Sequence, residues 1–423
     1  MQGVMLITTG QKKVTLILSA FFCVAMLMIN LQVAASLILI ASFMIWVIVR
    51  FDHDPFLAKM LMIAVIMRAV LTIFNEFFPI FPVQSDSFLY NLHAMQIIDN
   101  TVRNLPPFYD SPHSMSIKSY SFFLSLFYRV LGEMPLFISM FNSLLGILTA
   151  VLAYRISLFV FRDLRTGRFA LLLTLFFPSM IVFTTYVLRD AMIFFFTLLM
   201  IDRILHAARG LRPVSNSIIA LLSFCIIGIL RIQNFFLFGG FAALYLLYYM
   251  FTSKGRMIKW FLLSMTIIFL TYLLIVNQEL LTSIINYPLR AQPLRAEGKS
   301  VYLPDMQYQS LFDLIRYLPI RFIYFTFGPF LWNVYSAPML LSAIEGMLIL
   351  VFFCLTIVYF YKKPINLNLS AQWFLLLFCL LGLMANALVD SNFGTSVRHR
   401  FPYVLFLFMF SGAYLRNIKI RFL

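Results

Sequence analysis

Apolar runs of about 20 residues alternate with short polar breaks along most of the chain, and a run of that length crosses a bilayer as a helix. The pattern predicts spans at 13–30, 32–50, 57–80, 136–161, 168–186, 191–207, 214–231, 234–251, 257–277, 337–361, 371–389 and 400–416. The expected fold is therefore an all-α polytopic membrane protein, a single integral membrane domain over 1–423 with about twelve transmembrane helices. The first run is not followed by a small-residue cleavage site, so it reads as a retained span.

Two apolar stretches depart from the pattern. "SYSFFLSLFYRVLG" (119–132) is short for a span and suits a helix lying on the membrane surface. "SLFDLIRYLPIRFIYF" (310–325) is interrupted by Arg316 and Arg321 and is expected to break at Pro319. Both are expected as juxtamembrane helices within two long outer loops, 81–135 and 278–336. Loops of that length without their own fold are usually functional or mobile.

Composition sharpens the class. The chain is 62% hydrophobic and 11% charged, whereas a soluble domain is about a quarter charged. The net charge of +16 first suggests a nucleic-acid partner. Its distribution argues otherwise. With the amino terminus placed in the cytoplasm, the inner segments collect nineteen of the 32 basic residues against four acids. The outer segments carry twelve of each, counting Glu345. The surplus is a topology signal, with both termini cytoplasmic and no nucleic acid expected. Cys23, Cys225, Cys354 and Cys379 all sit in apolar runs and read as small packing residues.

The chemistry-bearing residues gather at the expected outer ends. "SDSFLYNLHA" (85–94) sets Asp86, Tyr90 and Ala94 four apart on one helical face, with Asn91 and His93 beside them. A carboxylate there serves either as an N-cap or as a general base at the membrane surface. No Lys or Arg lies within four residues of Asp86 in sequence, which suits a base. "YVLRD" places Arg189 and Asp190 in a tight outer turn. Arg231 ends the next outgoing span, and "VDSNFGTSVRHR" brings Arg398, His399 and Arg400 to the last outer end. Arginines at several outer helix ends can converge on a phosphate, which guanidinium binds bidentately, or they can snorkel to headgroups. Arg68 and Glu345 lie within spans, where a structural pairing or a polar cavity is expected to satisfy them. The histidines are too scattered to define a metal site.

These motifs, in this order, resemble the bacterial membrane glycosyltransferases of the GT-C fold, near the protein-mannosyltransferases (glycosyltransferase family 39) and the aminoarabinose transferases. The resemblance begins with the outer-loop Asp in "SDSFLYNLHA". It runs on through the Pro-rich "LPPFYDSPHS", the short apolar helix ending at Gly132, and a span closing on the basic "RDLRTGR". Next comes "ALLLTLFFPSMIVFTTYVLRD", a Pro-containing span ending in an acid, so the match covers about 81–205. "NFGTSVRHRFPYV" is similar more loosely.

The resemblance implies a GT-C-like bundle in the bacterial plasma membrane. It also implies a polyprenyl-phosphate-linked sugar donor and transfer on the outer face to a glycan, lipid or protein acceptor. Asp86 and Asp190 would be the catalytic carboxylates. Tyr90, His93, Asp110, Arg189, Arg231, Arg398, His399 and Arg400 would bind substrate. Ser87 stands where many relatives carry a second acid, so a divalent metal is left open, and no nucleotide cofactor is expected. A repeat-unit polymerase of surface polysaccharide is an alternative. So is a flippase for lipid-linked saccharide, which favours intramembrane charges and related halves.

Overall fold

The computed structural model describes residues 19, 30–78, 85–99, 112–231, 234, 237–239, 286–296, 298, 300–362 and 370–416. Among these the secondary structure is helical, and the one extended pairing is an isolated bridge between Val301 and Asn392. The helices are α1 (Leu31–Arg50), α2 (Pro55–Phe77), α3 (Ser85–Ile98), α4 (Pro112–Leu131), α5 (Pro135–Phe161), α6 (Leu164–Phe176) and α7 (Pro178–Thr184). They continue with α8 (Asp190–Ala208), α9 (Pro213–Leu230), α10 (Tyr287–Arg295), α11 (Leu311–Phe327), α12 (Ala337–Lys362), α13 (Ser370–Val389) and α14 (Phe393–Leu415).

Seven of the described helices are long and apolar enough to cross a membrane: α1, α2, α5, α8, α9, α12 and α13. The chain is thus a multi-pass membrane protein by the length and composition of its helices. The expected spans 13–30, 234–251 and 257–277 lie wholly or mostly outside the described residues. The expected span 168–186 is not one helix. It breaks between Phe176 and Pro178, and α6 and α7 bend by 54°. Pro178 has no amide hydrogen to continue the ladder and disfavours helix at the residue before it. Phe177 is accordingly extended, at φ −68°, ψ 126°.

Local chemistry starts several helices. The Asn30 side chain accepts from the Gln32 and Val33 amides at the head of α1. Asp163 accepts from the Thr166 amide at 2.7 Å and caps α6. Asp313 accepts from the amides of Gln309 and Ser310 to form a capping box on α11. α11 then runs through Pro319 without a break, contrary to the sequence expectation. A proline forfeits one backbone bond, and the aromatic and aliphatic packing on either side of it offsets that loss.

The fold separates into two units, Met1–Leu148 with Met180–Met192, and Thr149–Ser179 with Ile193–Leu423. In the first, α3 and α4 pair with each other. Tyr128 donates to Asn91 Oδ1 at 2.6 Å, and the Tyr90 and Tyr120 rings meet edge-on at 4.9 Å. α4 begins earlier than the apolar run, at Pro112. Arg68 is fully buried in this unit, bonded to the Thr184 hydroxyl and directed at Met180 O. In the second unit, α14 is buried nearly throughout: its later turns are apolar on all sides, and its first turns bury Ser396, Arg398, His399 and Arg400. Glu345 accepts from the Ser179 amide at 2.6 Å and from its hydroxyl. Arg68 and Glu345 are therefore each met by hydroxyl and backbone groups, in line with a structural role.

Charge bias gives a test of orientation. Gln309 and Arg165 are both exposed. In a cysteine-free background, cysteine at Gln309 is expected to label with an impermeant thiol reagent on intact cells, and cysteine at Arg165 only after lysis. The reverse pattern would invert the topology.

Candidate functional site

The first unit assembles a cluster around Tyr120. Ser85 is the first residue of α3, so Asp86 stands inside the first turn and is not the N-cap. There its charge still meets the positive end of the helix. One turn later Tyr90 is 1% exposed, and Ala94 is fully buried. The face that the four-residue spacing marks is thus the face packed against α4. Arg189 lies over the Tyr90 ring, its Cζ 5.9 Å from the centroid. That places a cation on the electron-rich face of the phenol.

The turn carrying Arg189 is pinned from α5. Asn142 Nδ2 donates to Tyr186 O at 2.7 Å and to Leu188 O at 2.9 Å, and reaches the Tyr120 hydroxyl at 3.4 Å. Asp190, the first residue of α8, is fully buried. Burial pushes the Tyr120 phenol far above its ordinary pKa, and the nearby Asp190 carboxylate adds to the shift. His93 is buried with Nδ1 at 2.9 Å from Gln96 Oε1. Tyr90, Arg189 and Asp190 are therefore brought together, with Asp86 one turn away along α3. Asp110 lies outside the described residues.

The second unit holds another polar cluster, at the corner between α13 and α14. Asp390, fully buried just past the end of α13, accepts or shares a proton with His399 Nδ1 at 2.6 Å. Asp390 thereby fixes one ring nitrogen of His399. Tyr302 donates to Asp390 O at 2.7 Å, and Arg321 Nη1 donates to Ser391 Oγ at 3.0 Å. Arg321 also sits over the Tyr308 ring at 4.8 Å. Arg231, at the C-cap of α9, is buried and acts electrostatically on Tyr403.

Two of the three basic residues of "RHR" have different partners within the unit. Successive residues on a helix point about 100° apart. His399 turns to Asp390. Arg400 turns to the end of α11, where Nη1 donates to Thr326 O at 3.0 Å and to Gly328 O. Arg398 is buried on the same helix. Arg400 thus binds main-chain carbonyls at the end of α11 through one of its terminal nitrogens.

Sequence reasoning did not single out Asn142, Tyr120, Asp390 or Tyr302, and marked Arg321 only as an interruption of an apolar stretch. A lone amide within "FISMFNSLLG" and a carboxylate opening "DSNFGTSVRH" were the available signals. Among the described residues, no group of three or more His, Cys, Asp or Glu is placed to hold a metal ion. Compared with known protein families, curated proteins and solved structures, the chain matches none.

Proposed function

We propose that this chain is an outer-face glycosyltransferase that moves a sugar from a polyprenyl-phosphate donor to a cell-envelope acceptor. One observation carries the reading. Within a single unit, Asp86 stands one turn ahead of Tyr90 on the packed face of α3, and Arg189 lies over that tyrosine beside Asp190. These are the residue types that the reaction needs.

The bond that breaks joins the anomeric carbon to a phosphate oxygen. Its electrons leave with the lipid phosphate, and Arg189 stabilises the charge that develops there. The acceptor hydroxyl attacks the anomeric carbon and gives its proton to Asp86. Asp190 holds Arg189 and the acceptor in register. The short α3, and α4, which is not among the helices apolar enough to cross a membrane, suit a site at the bilayer edge, where a lipid donor arrives sideways. The internal partners of Arg68 and Glu345 weigh against a transport path lined by those charges.

The test is direct. Purified protein in lipid nanodiscs is incubated with a panel of polyprenyl-phosphate sugars and envelope extracts. One donor is expected to lose its sugar and release polyprenyl phosphate. Failure of every donor would end the reading. A product that grows by repeating units would mark the polymerase alternative.

A further inference from the structure

The basic end of the second unit carries more positive charge than its own carboxylates can meet. Residues 155–168 and 202–212 hold seven arginines and two acids, Asp163 and Asp202. Both acids are committed. Asp163 caps α6 through the Thr166 amide and hydroxyl. Asp202, buried, lies 3.4 Å from Arg155, 3.4 Å from Arg203 and 3.7 Å from His206. Arg162 and Arg209 are exposed, and neither makes an ion pair with a described carboxylate.

These two arginines are held close together. Arg162 follows the last residue of α5 in a left-handed conformation, φ 54°. Arg209 lies over Phe159, three residues earlier, with its Cζ 3.8 Å from the ring centroid. His206 stacks on the same ring at 4.3 Å. Partial burial, and after it the Arg162 charge, hold the Arg209 guanidinium below its ordinary pKa. Two like charges, one seated on Phe159 and the other three residues beyond that ring in the chain, are relieved by an anion between them. Exposed apolar side chains adjoin the basic turns: Leu164 (45% exposed), Leu211 (49%) and Val214 (72%). A soluble anion would leave these apolar groups in water, whereas the acyl chains of a lipid cover them.

We infer that Arg162 and Arg209 bind the phosphate of one anionic phospholipid, whose acyl chains lie on Leu164, Leu211 and Val214. The site is independent of the transferase reading and uses none of its residues. Basic pockets between membrane helices are suited to such headgroups. The turn after α5 and the turn between α8 and α9 would then be joined by a lipid that neither turn can replace.

Native mass spectrometry of delipidated protein, titrated with phosphatidylglycerol or phosphatidylcholine, tests this. Phosphatidylglycerol is expected to be retained in preference. Binding should weaken about fivefold for each of Arg162→Gln and Arg209→Gln. Arg155→Gln, whose charge Asp202 already meets, should leave binding unchanged. Should the Gln variants fail to purify, Arg162→Lys with Arg209→Lys keeps the charge but loses the planar fork and should also bind more weakly. Equal retention of the two lipids would overturn the inference. So would undiminished binding in the Lys pair, or an equal loss in Arg155→Gln, which would mean a diffuse surface potential.

Discussion

Asp86→Asn protein is expected to transfer sugar about 10²–10⁴-fold more slowly while remaining folded, the usual cost of losing a general base. The substitution is informative because of where Asp86 stands. It occupies the first turn of α3 and is partly exposed. Asn keeps its shape and loses the charge–dipole term, about 0.3–1 kcal/mol at a helix start. The packed side of α3, Tyr90 against Tyr120 and Ala94 beneath, is untouched. Donor binding through Arg189 should survive, so the loss falls on turnover. Asp190 is a poorer first target, because it is fully buried and its replacement mixes chemistry with folding. Near-normal turnover by folded Asp86→Asn protein would defeat the assignment and turn attention to Asp190 and to the Asp390–His399 pair.

Arg400→Met is expected to cost about 3–5 kcal/mol of stability, the range for removing one partner from a buried charged contact. The guanidinium closes the end of α11 through Thr326 O and Gly328 O, and the Glu345 carboxylate acts on it electrostatically. Packing there leaves little room to adjust. A Cβ added at Gly346 would fall 2.1 Å from Phe327 O, so α12 already touches the same turn with bare backbone. Methionine fills the volume but strands the two carbonyls, while Glu345 keeps its bonds from Ser179. The measurement is the thermal unfolding midpoint in nanodiscs, with donor affinity determined on the folded fraction. Unchanged stability together with lost donor binding would return Arg400 to the substrate site.

The difference between these two residues shows what a sequence reveals. Asp86, Tyr90 and Ala94 could be placed on one face because helical spacing is local, and Tyr90 and Ala94 are the buried members of that face. Most described spans were legible for the same reason, since about 20 apolar residues have few other uses. The break at Phe177 and Pro178 was written in a single proline, but Pro319 carries the same residue without a break. Which outcome prevails depends on neighbours far along the chain. Arg398, His399 and Arg400 looked like one cationic group because they are adjacent. Their partners, Asp390 for His399 and Thr326 and Gly328 for Arg400, are fixed by tertiary packing. Asp390 was missed because its value lies in meeting a histidine nine positions away across a helix corner.

The docking of residues 286–310 onto that corner has a consequence for biogenesis. Gln292 bonds Ser391 at a separation of 99 residues, Ser300 bonds Asn392 at 92, and Tyr302 bonds Asp390 at 88. Every one of these partners is synthesised later than the segment that binds it. As the chain leaves the ribosome, the earlier segment has to wait while α12 and α13 are inserted. Contacts this distant in sequence are slow to close, and a waiting segment is exposed to misassembly. Insertion of the final helix therefore completes the corner, and a nascent chain halted before Asp390 leaves Tyr302 without the carbonyl it binds.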